Sequence, residues 1–137
     1  MKAITLYQPW ASLIAEGYKT IETRQHDRFK DLKGRRIAIH AGMRFDRWPY
    51  VERDQHPNMH KIKMPHGVIV CTAQVDNARW LRGDSIQEYD AAMCITDGLF
   101  GLFLSDIQKV EPPIPARGWQ GIWEIENRLV VSRNGEA

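Results

Sequence analysis

The sequence predicts an α+β domain: a small, mostly antiparallel β-barrel with short flanking helices. Three observations lead there. Short segments rich in β-branched and aromatic residues recur between Gly, Pro and Asp turns. The helical patterns are few and short. The helices between the strands are too few and too irregular for a doubly wound parallel sheet, and no Gly-rich phosphate loop is present.

Residues 8–17 read as the first helix. Pro9 suits a first helical position, where its missing N–H needs no partner. Trp10, Leu13 and Ile14 recur at i, i+3, i+4 and make one apolar face. Gly17 can take the left-handed conformation that ends a helix. Residues 20–24 (Thr-Ile-Glu-Thr-Arg) alternate as a strand, with Thr20, Glu22 and Arg24 on one face and Ile21 and Thr23 on the other. Residues 35–41 form a second strand, left through Gly42. Residues 43–65 are irregular and basic, broken by Pro49, Pro57 and Pro65, with helix expected around residues 47–53. Residues 67–75 are the strongest strand pattern, and residues 84–93 a helix with Asp84 or Ser85 as N-cap. Residues 101–110 form a further strand, ended by the run Glu111-Pro112-Pro113-Ile114-Pro115, and residues 121–126 the last. Residues 1–130 are expected to make a single domain, and 131–137 a loose tail.

Composition supports one ordinary domain. The chain has 137 residues, 43% hydrophobic and 26% charged. A chain of this size buries about 68–70% of its unfolded surface, enough to fold without staples. No stretch is apolar for long enough to span a membrane. The opening Met1-Lys2-Ala3-Ile4-Thr5-Leu6 has no signal-peptide character, so a cytoplasmic location is expected. Cys71 and Cys94 fit a reducing compartment and make no zinc pair. Residues 1–66 hold 13 Lys and Arg against 7 Asp and Glu, whereas residues 67–137 hold 6 against 10. Such a chain can offer a basic face to an anionic partner, unless the halves interleave in space.

The densest chemistry is Gln8-Pro9-Trp10-Ala11 followed by Gly17-x-Lys19-x-x-Glu22-x-Arg24. A helix end, a turn and a strand start bring an indole, an ammonium, a carboxylate and a guanidinium into one neighbourhood. A desolvated Lys19 beside Arg24 can lose its proton and act as a base. The same spacing also fits a surface ion pair worth about 0–1 kcal/mol. Glu22→Ala is expected to weaken ligand binding with little loss of fold. His56-x-x-x-His60 with His66 has a spacing that can hold a metal, but Pro57 interrupts it and no HExxH is present; no metal and no cofactor is expected. His40 is either a wall residue bonded to a carbonyl or a ligand contact. Trp119, beside Gly118 and near Gly121, is the indole best placed to touch a ligand.

The Gly17-x-Lys19-x-x-Glu22-x-Arg24 motif resembles the signature of the ASCH domain (activating-signal-cointegrator homology). The upstream Leu6-Tyr7-Gln8-Pro9-Trp10-Ala11 is similar to that family's opening segment. Further agreement lies in Ile37-Ala38-Ile39-His40, in His66-Gly67-Val68-Ile69, and in Pro113-Ile114-Pro115 with Gly118-Trp119-Gln120-Gly121-Ile122-Trp123. The order resembles the endothelial-overexpressed, lipopolysaccharide-associated branch.

The resemblance implies a PUA-like barrel and a cleft lined by Lys19, Glu22 and Arg24, with Gln8, Trp10, His40 and Trp119 as further ligand-binding residues. It implies binding of RNA or a modified nucleoside. Some ASCH proteins are amidohydrolases of N4-acetylcytidine, and others are linked to ribonuclease action. On that alternative Lys19 and Glu22 are the catalytic candidates. The position of the amidohydrolase threonine holds Glu22 here, Thr20 and Thr23 are out of register, and Glu88 is the candidate for its later glutamate.

Overall fold

The computed structural model describes residues 1–46 and 61–134. The helix expected around residues 47–53, and His56 and His60, lie outside the described residues. The elements are β1 (Lys2–Gln8), α1 (Trp10–Ala15), β2 (Ile21–Arg24), a 3₁₀ turn (Lys30–Leu32), β3 (Arg36–Phe45), β4 (Val68–Trp80), α2 (Ile86–Ala92), β5 (Phe100–Pro115), β6 (Trp123–Glu124) and α3 (Asn127–Asn134). Six strands form one curled half-barrel in the order β2-β5-β4-β3-β1-β6. Four of its pairings are antiparallel; β1 and β3 run parallel, with Ala3 opposite Ala38 and Leu6 opposite Ala41. The expectation of a mostly antiparallel sheet therefore holds, with one parallel pair, β3–β1, inside the β6 edge. A parallel pair needs a long crossover, and α1, β2 and the 3₁₀ turn supply it.

The sheet is buried on both faces. Ile4, Leu6, Ile37, Ile39, Val70, Ala73 and Val75 pack against Ala11 and Ile14 of α1 and against Phe29 and Leu32. On the other face Ala3, Ala38, Ile69, Val110 and Ile114 pack against Ile125 and Val130. This double burial explains the unbroken apolar run of β3. It also explains why β1 is absent from the sequence reading: Ala3 and Ile4 are adjacent, both apolar, and buried on opposite faces, so polar alternation is lost.

Several boundaries move. α1 begins at Trp10, later than expected, with Pro9 as its N-cap instead of its first helical residue, and Gly17 has φ +84° just past its end. Ser85 caps α2, its Oγ accepting from Glu88 N–H at 3.2 Å. β4 runs five residues beyond residue 75, through a register shift between Val75 and Asn77. β5 passes through Pro112 and Pro113, where a second irregularity in the ladder removes the need for their N–H groups. β6 is only two residues long, and α3 follows it over a segment without a helical pattern. The low amphipathic contrast of Asn127–Asn134 accounts for that omission.

Candidate functional site

The motif sits where α1 ends and β2 begins. Gly17 turns the chain, and Lys19 N–H donates to Leu13 O at 3.1 Å. That turn drives the Lys19 side chain inward, where it is only 1% exposed. Its Nζ donates to the Ala92 carbonyl at 2.5 Å, lies 5.0 Å from the centre of the Trp10 ring and 3.8 Å from Glu22 Oε1. Glu22, 6% exposed, meets Arg24 Nη2 through Oε2 at 3.3 Å. Its two oxygens are therefore shared between two cations. Arg24 Nη2 also donates to the Thr5 carbonyl at 3.2 Å, and the guanidinium lies 4.9 Å from the Phe29 ring centre. Arg24 Nε is buried and has no hydrogen-bond partner among the described residues.

Burial pushes the Lys19 pKa below its ordinary 10.5 because desolvation penalises the ammonium. Glu22 and then Cys94 oppose that shift, whereas Arg24 adds to it. The surface-pair alternative does not describe this lysine. Nor is Glu22 a freely removable cleft carboxylate: it is the counter-charge of a buried ammonium.

These three residues form the floor of an open cleft of about 1530 Å³. Trp10 lines it too, its Nε1–H donating to Asp46 Oδ2 at 2.9 Å. Trp119, 56% exposed, and Tyr7, 48% exposed, stand on the rim. Arg117 stacks its guanidinium 4.4 Å from the Trp119 ring centre. His40 forms part of the wall, with Nε2 2.7 Å from Ala116 O and Nδ1 3.2 Å from Thr5 Oγ1.

Gln8 does not line the cleft. It is fully buried behind it, donating to Ser12 Oγ at 2.7 Å and Pro65 O at 2.8 Å and accepting from Ser12 N–H at 3.0 Å. It holds the start of α1 where a capping side chain would. Gln8→Ala is expected to cost about 1–3 kcal/mol of stability, the cost of leaving buried polar groups unpaired. Ligand affinity per folded molecule should stay unchanged, which denaturation and titration of the same variant will check.

Glu88 also lies away from the cleft, paired with Arg79 at 3.2 Å. Thr20 lies outside it as well, whereas Thr23 is on its edge, 3.6 Å from Cys94 Sγ. Thr5, His26, Arg28 and Cys94 are cleft residues that the sequence reading did not single out. His26 is held below its usual 6.5, first by desolvation and then by the Arg28 and Arg24 charges. The rim around it is thus locally cationic. Cys71, by contrast, is sealed in the core with its thiol pushed up to about 12 by burial. His66 Nδ1 lies 2.8 Å from Gly42 O. Among the described residues no group of three or more His, Cys, Asp or Glu can hold a metal ion. No helix among them is long and apolar enough to cross a membrane.

Comparison with known proteins bears on the fold. Structures of ZmASCH from Zymomonas mobilis superpose with TM-scores of 0.60 for a tyrosine-to-phenylalanine mutant and 0.54 for the unmutated ASCH protein. Both are 18% identical to this chain; the matches cover 97% of this chain and 97% of the mutant chain, and 93% and 88% for the unmutated protein. At that identity the likeness concerns the fold alone. No curated protein matches the sequence. The ASCH domain model matches residues 4–128, a span that runs from β1 into α3 and includes the whole cleft motif, and the chain belongs to the ASCH domain family.

Proposed function

We propose that this ASCH domain binds RNA or a modified nucleoside in the cleft floored by Lys19, Glu22 and Arg24. The observation that carries the reading is the position of Glu22. It is a buried carboxylate, clamped between two cations, at the base of a cleft rimmed by an exposed indole and phenol. A fixed carboxylate accepts from an exocyclic amine of a base. An exposed indole stacks on a base face. Arg28 and Arg117 on the lining supply donors for phosphate. ASCH is a PUA-like fold family often linked to RNA binding, which agrees with this assignment. The binding unit is residues 1–130, acting in the cytoplasm, and the branch it most resembles is the endothelial-overexpressed one.

Titration with short single-stranded RNA and with N4-acetylcytidine tests the reading. Binding of the RNA is expected to weaken as salt rises, because bound phosphates release counterions. Trp119→Ala is expected to lose about 1–3 kcal/mol of affinity, the contribution of one stacked base, with Tm unchanged because the ring is exposed. Equal affinity for the variant and the parent would remove Trp119 from the site.

A second reading, a small hydrolase of a nucleoside amide, is favoured by the lowered Lys19 pKa. It requires substrate to reach an ammonium that is 1% exposed. Release of acetate from N4-acetylcytidine, abolished by Lys19→Ala, would select this reading over simple binding.

A further inference from the structure

We propose that His40 is a positioning residue: held between Thr5 and the Ala116 carbonyl, it sets the loop that presents Trp119 to the cleft, and its protonation releases that loop. The consequence for ligand rests on Trp119 being the stacking surface. The wiring of the loop does not.

The hydrogen bonds around His40 run in one direction. Ala116 O can only accept, so Nε2, 2.7 Å away, carries the proton. In a neutral ring Nδ1 is then the acceptor, and Thr5 Oγ1 donates to it across 3.2 Å. Thr5 Oγ1 in turn accepts from Trp123 Nε1–H at 3.0 Å. The chain Trp123–Thr5–His40–Ala116 thus ties β6, β1 and β3 to the end of β5. The Trp123 ring also meets the imidazole edge-on, with centroids 5.4 Å apart.

The loop rests directly on this chain. A Cβ at Gly118 would lie 2.5 Å from His40 Cε1 and Nδ1 and 2.6 Å from Thr5 Oγ1. Only glycine allows that approach. Gly118 and Ala116 flank Arg117, whose guanidinium stacks on Trp119. The imidazole therefore fixes the loop at Ala116 and supports it at Gly118, immediately before the exposed indole.

An imidazolium fits poorly here. Its new Nδ1–H would face Thr5 Oγ1 and force that hydroxyl to turn its own proton elsewhere. From β1 the ring meets Thr5, from the end of β5 Ala116, and from β6 Trp123, all uncharged. Beyond them, Arg117 follows Ala116, and Arg24, which holds the Thr5 carbonyl, is itself paired with Glu22. No carboxylate pairs with His40 among the described residues. The ring is only 2% exposed, and desolvation holds its pKa below 6.5, against the opposing Ala116 bond.

Nitrogen-15 spectra of the intact chain test this, because each indole Nε1–H gives one signal and the ring nitrogens report the tautomer. Trp119→Phe and Trp123→Phe assign the two indoles. The expected result is His40 protonated on Nε2 at neutral pH. On acidification the Trp119 and Trp123 signals should move together, with one midpoint below 6.5. RNA affinity should fall about tenfold over the same window, comparable to losing part of one stacking contact. His40→Gln should abolish the shared step. Thr5→Val, which keeps the side-chain shape and removes the hydroxyl, should displace the Trp119 signal at neutral pH. An Nδ1–H tautomer, Trp119 signals indifferent to acid, or a step that survives His40→Gln would each overturn the proposal. Co-titration of the two indoles without any RNA binding would uphold His40 as the loop's anchor and overturn the binding reading instead.

Discussion

Glu22→Ala is expected to destabilise the protein by about 3–5 kcal/mol at neutral pH, the cost of breaking a buried pair from one side. The Tm should fall by about 10 °C or more. With the carboxylate gone, the Lys19 ammonium keeps the Ala92 carbonyl and the Trp10 ring face but no counter-charge, and Arg24 faces it without an intervening carboxylate. The loss should shrink as pH rises. Lys19 already has a pKa below 10.5, and Glu22 is the main charge holding it up. A lysine whose pKa is lowered by folding binds fewer protons folded than unfolded. Its stability contribution is complete above 10.5 and is lost as pH falls through the folded value. Without Glu22 that folded value drops further, so stability recovers over a wider alkaline range. Urea denaturation of Glu22→Ala between about pH 7 and about pH 10 measures this. A variant as stable as the parent throughout would show that Glu22 is not the counter-charge.

Lys19→Met is expected to keep the fold and lose the ligand. Methionine fills much the same volume against Trp10 and removes the desolvated charge, so its stability effect should be within about 1.5 kcal/mol. Glu22 would then be held by Arg24 alone, and its carboxylate would no longer be fixed in the floor. RNA or nucleoside affinity should fall by about 10- to 100-fold, which is roughly 1.4–2.8 kcal/mol. Should the hydrolase reading hold, turnover would vanish. Pairing the two substitutions separates the roles: Glu22→Ala in the Lys19→Met background should cost far less stability than in the parent. Independent, additive effects would mean that the two side chains do not act as a pair.

Local pattern made part of this site legible. The two-residue period of β2 puts Glu22 and Arg24 on one side, and the Gly17 turn leaves Lys19 free to join them. Glycine-flanked Trp119 is exposed on the cleft rim. What local pattern does not contain is burial supplied from far along the chain. Lys19 becomes a buried ammonium because Ala92, 73 residues away, brings its carbonyl over it. Gln8 is a structural residue because Pro65, 57 residues away, takes its amide. The Thr5–Trp123 bond spans 118 residues, so nothing in either segment alone shows that His40 has both nitrogens occupied. The same limit applies to the sheet. β1 pairs with β3 in parallel only after a crossover, and its adjacent Ala3 and Ile4 hide the strand by facing two cores. β5 continues through prolines because ladder irregularities excuse them, a tertiary fact.

A crystal structure of the protein grown with N4-acetylcytidine or a short single-stranded RNA is the most direct test of the cleft assignment. The expected result is a base stacked on Trp119, with an exocyclic nitrogen within hydrogen-bond reach of Glu22 and a phosphate or sugar oxygen near Arg28 or Arg117. A nucleotide bound on another face, with the Lys19–Glu22–Arg24 floor untouched at saturation, would contradict it.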